Sequence, residues 1–210
     1  MILLKEPINS ILAEVASASP APGGGSVSAL AGANGAALIS MVCRLTIGKK
    51  KYLAVSEEME QILVKSEELR GQLAYLFTED SNAFDGIKDA RTLPKETPEQ
   101  IDARKQAIEA ATKVAIQVPL KTMRACANAI RLAAVVAEKG NATALSDVGV
   151  AALVLEAGAH GARLNVLINL GGLVDRAFAD SCLAEADAMM AQVCGIKERM
   201  LSDIEERLQQ

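Results

Sequence analysis

The chain has 210 residues and a net charge of −4, and half of its residues are hydrophobic although only 2% are aromatic. A core must therefore be built from Ala, Leu, Val, Ile and Met, which favours helices packed on helices over an all-β fold. The acidic balance lacks the basic footprint of nucleic-acid-binding proteins, and the length is typical of a single domain over residues 1–210.

Cysteine usage and the apolar segments predict a cytoplasmic protein outside the membrane. The four Cys residues are widely spaced and show no ligand pattern for a metal, so reduced, buried thiols are expected. The apolar start of the chain stops at Lys5, which excludes a signal peptide. The longest apolar run, Val27 to Cys43, consists mostly of Ala and small residues, which is typical of a helix buried in a bundle.

Helical spacing of apolar residues recurs along the chain, and no stretch alternates as a strand would. A first helix begins at Leu4 and ends by Ser17. The later helices are predicted over residues 26–44, 56–90, 98–138 and 146–170, and a last helix follows Gly171-Gly172 and reaches the C-terminus. The sequence therefore predicts an all-α fold.

Several residues mark the ends of these helices. Ser26 is placed as the N-cap of the second helix. Thr97, Pro98 and Gln100 form the pattern of a capping box at the start of the fourth. Pro119 is expected to kink that helix or to divide it in two, because proline lacks the N–H of the helical hydrogen bond.

A glycine run, Gly23-Gly24-Gly25, opens the second helix and is followed by Ser26. Bare backbone N–H groups at such a position can bind an anion or an oxyanion. The alternative is a tight turn followed by a cap. The run follows a helix and lacks the Lys-Ser/Thr ending of a Walker motif, which argues against nucleotide binding.

Three carboxylates, Asp80, Asp85 and Asp89, lie near the end of the third helix. Asp85 and Asp89 share a face, whereas Asp80 lies about 140° from Asp85 at the helical angle. A carboxylate pointing into a cleft could act as a base or hold the edge of a ligand. The alternative is a solvated helix face.

Two amides, Asn165 and Asn169, interrupt an apolar helix and need partners if they are buried. They could bond within the protein or read a ligand. His160, the single histidine, is interpreted as a structural or pocket-wall residue, and no metal site is predicted. Asn141 and Ser146-Asp147 lie at a junction between two helices, where capping of both helices is the alternative to ligand binding. Lys49-Lys50-Lys51 could hold an acidic ligand tail, and the alternative is a solvated loop.

These segments occur in an order that resembles the cyclodeaminase/cyclohydrolase family of folate enzymes. The similarity extends from near the N-terminus to about residue 170, and the combination of segments is specific where each alone is not. The matching segments are Pro22 to Ala29, Met41-Val42, Leu45-Thr46, Gly48-Lys49, Tyr52, Asp80 to Asp85, Leu93 to Lys95, Arg104, Val118 to Leu120, Asn141, Ser146-Asp147, Asn165-Val166 and Ile168 to Leu170.

The resemblance implies an up-and-down helical bundle of about six to eight helices that forms a homodimer, with a reduced-folate site near the subunit interface. It also implies an enzyme without a metal or other cofactor, because tetrahydrofolate itself carries the one-carbon unit. The expected reaction is hydrolysis of 5,10-methenyltetrahydrofolate to 10-formyltetrahydrofolate. The alternatives are a formiminotetrahydrofolate cyclodeaminase that releases ammonia, and a folate-binding module without turnover.

Site residues are assigned on the same resemblance. Asp80 or Asp147 is expected to move protons or to bind the pterin, and Lys95 to donate a proton or orient water if burial lowers its pKa. The remaining candidates are expected to bind the substrate, with the glycine run holding a carboxylate or a developing oxyanion; they are Gly23, Gly24, Gly25, Ser26, Asp85, Asn141, Ser146, Asn165 and Asn169.

Overall fold

A computed structural model describes residues 6–209, so the predicted helix start at Leu4 lies outside the described residues. Within this range the chain forms six α-helices and no strand, which confirms the predicted all-α fold. A six-residue 3-10 segment (Lys50–Val55) follows α2, and a three-residue one (Ala142–Ala144) follows α4. The helices are α1 (Ile8–Val15), α2 (Gly24–Thr46), α3 (Ser56–Thr92), α4 (Pro98–Lys139), α5 (Leu145–Leu170) and α6 (Arg176–Leu208).

Helices α2 to α5 run up and down through the bundle. Ser26 at the start of α2 contacts Asp80 late in α3, whereas Ser40 farther along α2 contacts Ser66 earlier in α3. The same antiparallel pairing brings Gly24 beside Asn165, late in α5. The bundle therefore has two distinct ends. One holds the start of α2 and the ends of α3 and α5; a cleft opens there, so it is called the cleft end. The opposite end is called the far end.

Helix α2 is the central element of the bundle, since it packs against α3, α4 and α5. Its approach to α5 is close: a Cβ added to Gly158 would lie 2.8 Å from the carbonyl oxygen of Ser28 and 3.0 Å from the nitrogen of Gly32. Both α2 and α5 are long and apolar enough to cross a membrane by length and composition alone. In the bundle most of the Val27 to Cys43 segment of α2 is buried, as the sequence predicted, whereas α5 buries one face and exposes apolar residues on the other.

The structure confirms some of the predicted helix features and corrects others. The capping box of Thr97 and Gln100 is confirmed. The prediction that Ser26 is the N-cap of α2 is wrong, because Gly23 takes that position and Ser26 lies in the first turn. Pro119 does not divide α4, since buried residues on both sides of it hold the two halves as one helix. Cys194 is only half-buried, whereas the other three thiols are buried as expected.

The contact between α2 and α5 can be tested by adding single methyl groups. Gly158→Ala should lower the free energy of unfolding by about 1–3 kcal/mol, because its Cβ would meet backbone atoms of α2 that cannot rotate away. Gly71→Ala is the matched control. No atom lies within 4 Å of a Cβ at Gly71 in α3, so this change should raise stability by about 0.5–1 kcal/mol. Urea unfolding measures both, and equal stability of the two variants would contradict the packing described.

Candidate functional site

A cleft of about 400 Å³ opens at the cleft end, between the start of α2 and the last turns of α3 and α5. One wall is polar and another is apolar, as is usual for a site that takes a small organic molecule. The polar wall is formed by the glycine run, Asp80, Asn165 and Asn169, and the apolar wall by Ala83, Phe84, Ile87, Ala115 and Ile168.

Asp80 lies at the head of this cleft, against the first turn of α2. The hydroxyl of fully buried Ser26 donates to its Oδ2 at 2.9 Å, and the Ser81 hydroxyl lies 3.3 Å from that of Ser26. Burial raises the pKa of the Asp80 carboxyl, and the hydroxyl and backbone N–H of Ser26 oppose the rise. Desolvation therefore outweighs the stabilisation of the charged form.

One glycine of the run, Gly25, is required by this carboxylate. A Cβ at Gly25 would overlap the Asp80 carboxylate group, so a side chain at that position would push Asp80 away from α2. The N-cap Gly23 has no side chain that could satisfy the free N–H groups of the first turn. Asp80 supplies from α3 the acceptor that an N-cap side chain would otherwise supply, and the positive end of the helix dipole favours its negative charge.

Asn165 and Asn169 lie on the α5 side of the cleft. Each side-chain amide donates to the carbonyl oxygen four residues earlier, Asn165 to Gly161 and Asn169 to Asn165, both at 2.9 Å. The hydrogen-bond acceptors for the side-chain N–H groups of these two amides are thus backbone carbonyls of the same helix. Within residues 6–209, no donor reaches either amide oxygen, so both oxygens can accept hydrogen bonds from a ligand.

The other candidates do not reach this cleft within one subunit. Asp85 lines a neighbouring cleft between α1 and α3. Lys95 is exposed in the loop after α3, so the burial on which its predicted role depends is not found. Asn141, Ser146 and Asp147 lie at the far end, separated from Asp80 by the length of α2, about 33 Å.

Asn141 has a clear structural function at the far end. Its side-chain amide donates to the carbonyl of Leu45, and its side-chain oxygen accepts from the backbone N–H of Thr143. The backbone N–H of Asn141 donates to the hydroxyl of Thr46, which is buried. Asn141 therefore caps the 3-10 turn Ala142–Ala144 and ties the end of α2 to the turn before α5, whereas the predicted capping of the two flanking α-helices is not found, since Gly140 and Ala144 take those positions. Lys49 to Lys51 lie at this same end.

Eight residues that line the cleft were absent from the candidates chosen on sequence; they are Pro20, Ala21, Ala83, Phe84, Ile87, Arg91, Ala115 and Ile168. The signal for Arg91 is its spacing: Asp80, Phe84, Ile87 and Arg91 follow one another at intervals of three or four residues, so they share one face of α3. Ile168 is 79% exposed although it is large and apolar. The sequence alone gives no indication of that exposure.

The fold and the cleft together define an all-α protein with a candidate small-molecule site at one end of an antiparallel bundle. The model of the formiminotransferase-cyclodeaminase family matches residues 7–188. The chain belongs to this family. Among the residues that the structure describes, no three His, Cys, Asp or Glu side chains are grouped as ligands for a metal ion.

Individual relatives cover most of the chain. It is 46% identical to a methenyltetrahydrofolate cyclohydrolase from Methylorubrum extorquens, over 97% of this chain and 98% of that protein. It is 37% identical to the formimidoyltransferase-cyclodeaminase of Rattus norvegicus, over 93% of this chain but only 38% of that longer protein. The crystal structure of a formiminotetrahydrofolate cyclodeaminase from Thermotoga maritima is similar with a TM-score of 0.88 and 30% identity, over 98% of this chain and 99% of that one.

The half-buried carboxylate of Asp80 predicts a pH-dependent cost to stability. Because the pKa of Asp80 is raised in the folded protein, its contribution to stability is lost as the pH rises through that pKa. Asp80→Asn should therefore be more stable than the original protein at pH 7, and the difference should vanish at acid pH. Asp102→Asn, which removes an exposed carboxylate from α4, is the control. Thermal unfolding across the pH range would contradict this account if Asp80→Asn were less stable at neutral pH.

Proposed function

We propose that the protein is a methenyltetrahydrofolate cyclohydrolase, which hydrolyses 5,10-methenyltetrahydrofolate to 10-formyltetrahydrofolate. The observation that carries this proposal is the 46% identity to such an enzyme along nearly the whole of both chains. The cleft supports it, because its half-buried carboxylate, Asp80, suits a substrate whose reacting carbon belongs to a cation.

Asp80 is the proposed general base. Water adds through its oxygen to the carbon between N5 and N10, and the proton that the water loses passes to the Asp80 carboxylate. The hydrated adduct then opens by breaking its bond to N5. The hydroxyl oxygen becomes the formyl carbonyl as its proton leaves to water, and N5 takes the proton held by Asp80. A carboxyl whose pKa is raised towards neutrality suits both transfers.

The surrounding groups have binding roles in this proposal. The amide oxygens of Asn165 and Asn169 accept hydrogen bonds from N–H groups of the pterin, since their own amide N–H groups are held by backbone carbonyls. The backbone N–H groups of Gly24 and Gly25 stabilise the oxygen of the adduct. Phe84 and Ile168, both exposed at the cleft, provide an apolar surface for the rings.

The second candidate is a formiminotetrahydrofolate cyclodeaminase. It is favoured by the similarity to the Thermotoga maritima cyclodeaminase, which extends over 99% of that chain. Release of ammonia from a formimino substrate distinguishes this reaction from the hydrolysis. A folate-binding protein without turnover would bind the folate and show neither reaction.

A homodimer is part of the proposal, and its interface is the outward face of α5. Val150, Leu153, Leu164 and Ile168 are all between 47% and 79% exposed. With Ala157 and His160 they form one stripe along the helix at intervals of three or four residues. The stripe carries no acidic, lysine or arginine side chain, and a continuous exposed face of this kind marks an interaction site.

A second copy packed antiparallel on this stripe would bring the candidate residues at the far end of one subunit close to the cleft of the other. A twofold axis near Ala157 and perpendicular to α5 brings the start of one α5 beside the end of the other, because such an axis reverses the direction of the helix. Asp147 and Ser146 of the partner subunit would then lie near Asn165 and Asn169. In this arrangement Asp147 acts in the cleft of the other subunit, where its charge favours the cationic substrate.

The reaction is tested by the decay of methenyltetrahydrofolate absorbance, measured against the rate without protein. The purified protein should accelerate it, and Asp80→Asn should lower kcat by about 10²–10⁴-fold, because the general base is lost. Asp102→Asn should keep its turnover. Near-normal turnover by a folded Asp80→Asn variant would show that Asp80 is not the base.

The shared site is tested by mixing two inactive subunits. Co-expressed Asp80→Asn and Asp147→Asn chains should recover about a quarter of the original activity, because half of the dimers then contain one intact site of their two. Leu164→Glu on both chains should abolish the recovery by breaking the α5 contact. Val64→Glu, an equally exposed apolar position on α3, should not. Activity no greater than that of the separate variants would contradict a site built from two subunits.

A further inference from the structure

Along the cleft, one face of α3 carries first an acidic, then an apolar and then a basic surface. Asp80 lies at its inner end, Phe84 and Ile87 follow, and Arg91 lies at the mouth. Eleven residues separate Asp80 from Arg91, which is about three turns and about 16 Å along the helix. The two charges therefore share a face, with an apolar strip between them.

The guanidinium of Arg91 is available to a ligand. Arg91 is exposed, lines the cleft and makes no ion pair with another described residue. Other arginines of the bundle are engaged by carboxylates, as Arg124 is by Glu185 and Arg163 by Asp187.

A second cation lies close to Arg91. Two N–H groups of the Arg104 guanidinium donate to the backbone carbonyl of Arg91, at 3.0 and 3.2 Å. Arg104 makes no ion pair with a carboxylate among residues 6–209, so its charge adds to that of Arg91. The Arg91 end of the cleft therefore has two arginines, one lining it and one bonded to the backbone beside it, although the chain as a whole is acidic.

The neighbouring cleft has the opposite character. It lies beyond the loop at Pro20 and Ala21 and is lined by Glu6, Glu14 and Asp85, with Lys88 as its one cation among the described lining residues. Carboxylates on a ligand would be repelled there and attracted at Arg91. The charges therefore favour a ligand in the Asp80 cleft whose carboxylates lie at the Arg91 end.

We infer that Arg91, supported by Arg104, binds the glutamate carboxylates of the reduced folate; the inference rests on the proposed function. A folate carries its glutamate beyond an aromatic benzoyl group, and this order matches Asp80, the apolar strip and Arg91. Arginine suits a carboxylate because its planar fork can donate two parallel hydrogen bonds. Lys49 to Lys51, the tail-binding candidates from sequence, lie at the far end of the same subunit.

The test compares substrates with and without the glutamate. Arg91→Gln should raise the KM for methenyltetrahydrofolate about tenfold, the size expected for one lost charge-assisted contact, with kcat unchanged. For methenyltetrahydropteroate, which lacks the glutamate, the KM should not change. Arg199→Gln, which removes an exposed arginine from α6, is the matched control and should alter neither.

Two outcomes would overturn the assignment of Arg91. One is an equal loss on the substrate that lacks the glutamate. The other is a glutamate-dependent rise in KM in a Lys49→Gln, Lys50→Gln, Lys51→Gln triple variant but not in Arg91→Gln. That result would show that the glutamate binds at the far end of a partner subunit.

Calorimetry with 5-formyltetrahydrofolate and tetrahydropteroate provides the same comparison without turnover. If the original protein lacked turnover, the cyclohydrolase proposal would fail. A glutamate-dependent loss of binding in Arg91→Gln would still support the assignment. If the original protein bound neither folate, both proposals would be wrong.

Discussion

The site depends on the contact between the Asp80 carboxylate and the first turn of α2. Three features meet there: a glycine that leaves room for the carboxylate, a buried hydroxyl that donates to it, and a helix start without a capping side chain. The contact fixes the end of α3 against α2 and holds a partly desolvated carboxyl at the head of a cleft. Asp80 has a structural reason to be there, as a cap supplied from another helix, and the proposed function uses the same atoms. Stability and turnover therefore have to be measured separately.

The antiparallel order of the helices decides which residues can act together. The start of α2 meets the ends of α3 and α5, so Asp80, Asn165 and Asn169 share a cleft. Asn141 and Asp147 are at the other end of α2 for the same reason. A single subunit cannot bring the two groups together, whereas the uncharged stripe on α5 offers a second subunit the surface through which it could. The distribution of polar residues and the exposed apolar face thus have one explanation.

Much of the fold follows from the sequence, because helical periodicity, prolines and the Thr97 capping box are local signals. The error at Ser26 has a physical cause: a serine three residues into a helix and a serine at its cap look alike until the partner from α3 is known. The residues that carry the family resemblance include Asp80 and Asn165, which do line the same cleft. Arg91 and Ile168 were missed because lining a cleft is a tertiary property. The spacing of Arg91 from Asp80 was available, but only the packing shows which face of α3 borders the cleft.

A crystal structure with bound 5-formyltetrahydrofolate tests the central claim most directly, namely that the cleft at the start of α2 is the folate site. The account predicts the pterin and its one-carbon group against Asp80, the benzoyl ring along Phe84 and Ile87, and the glutamate at Arg91. Folate bound in the cleft of Glu14 and Asp85, or at the far end beside Asn141 and away from any Asp80, would contradict it.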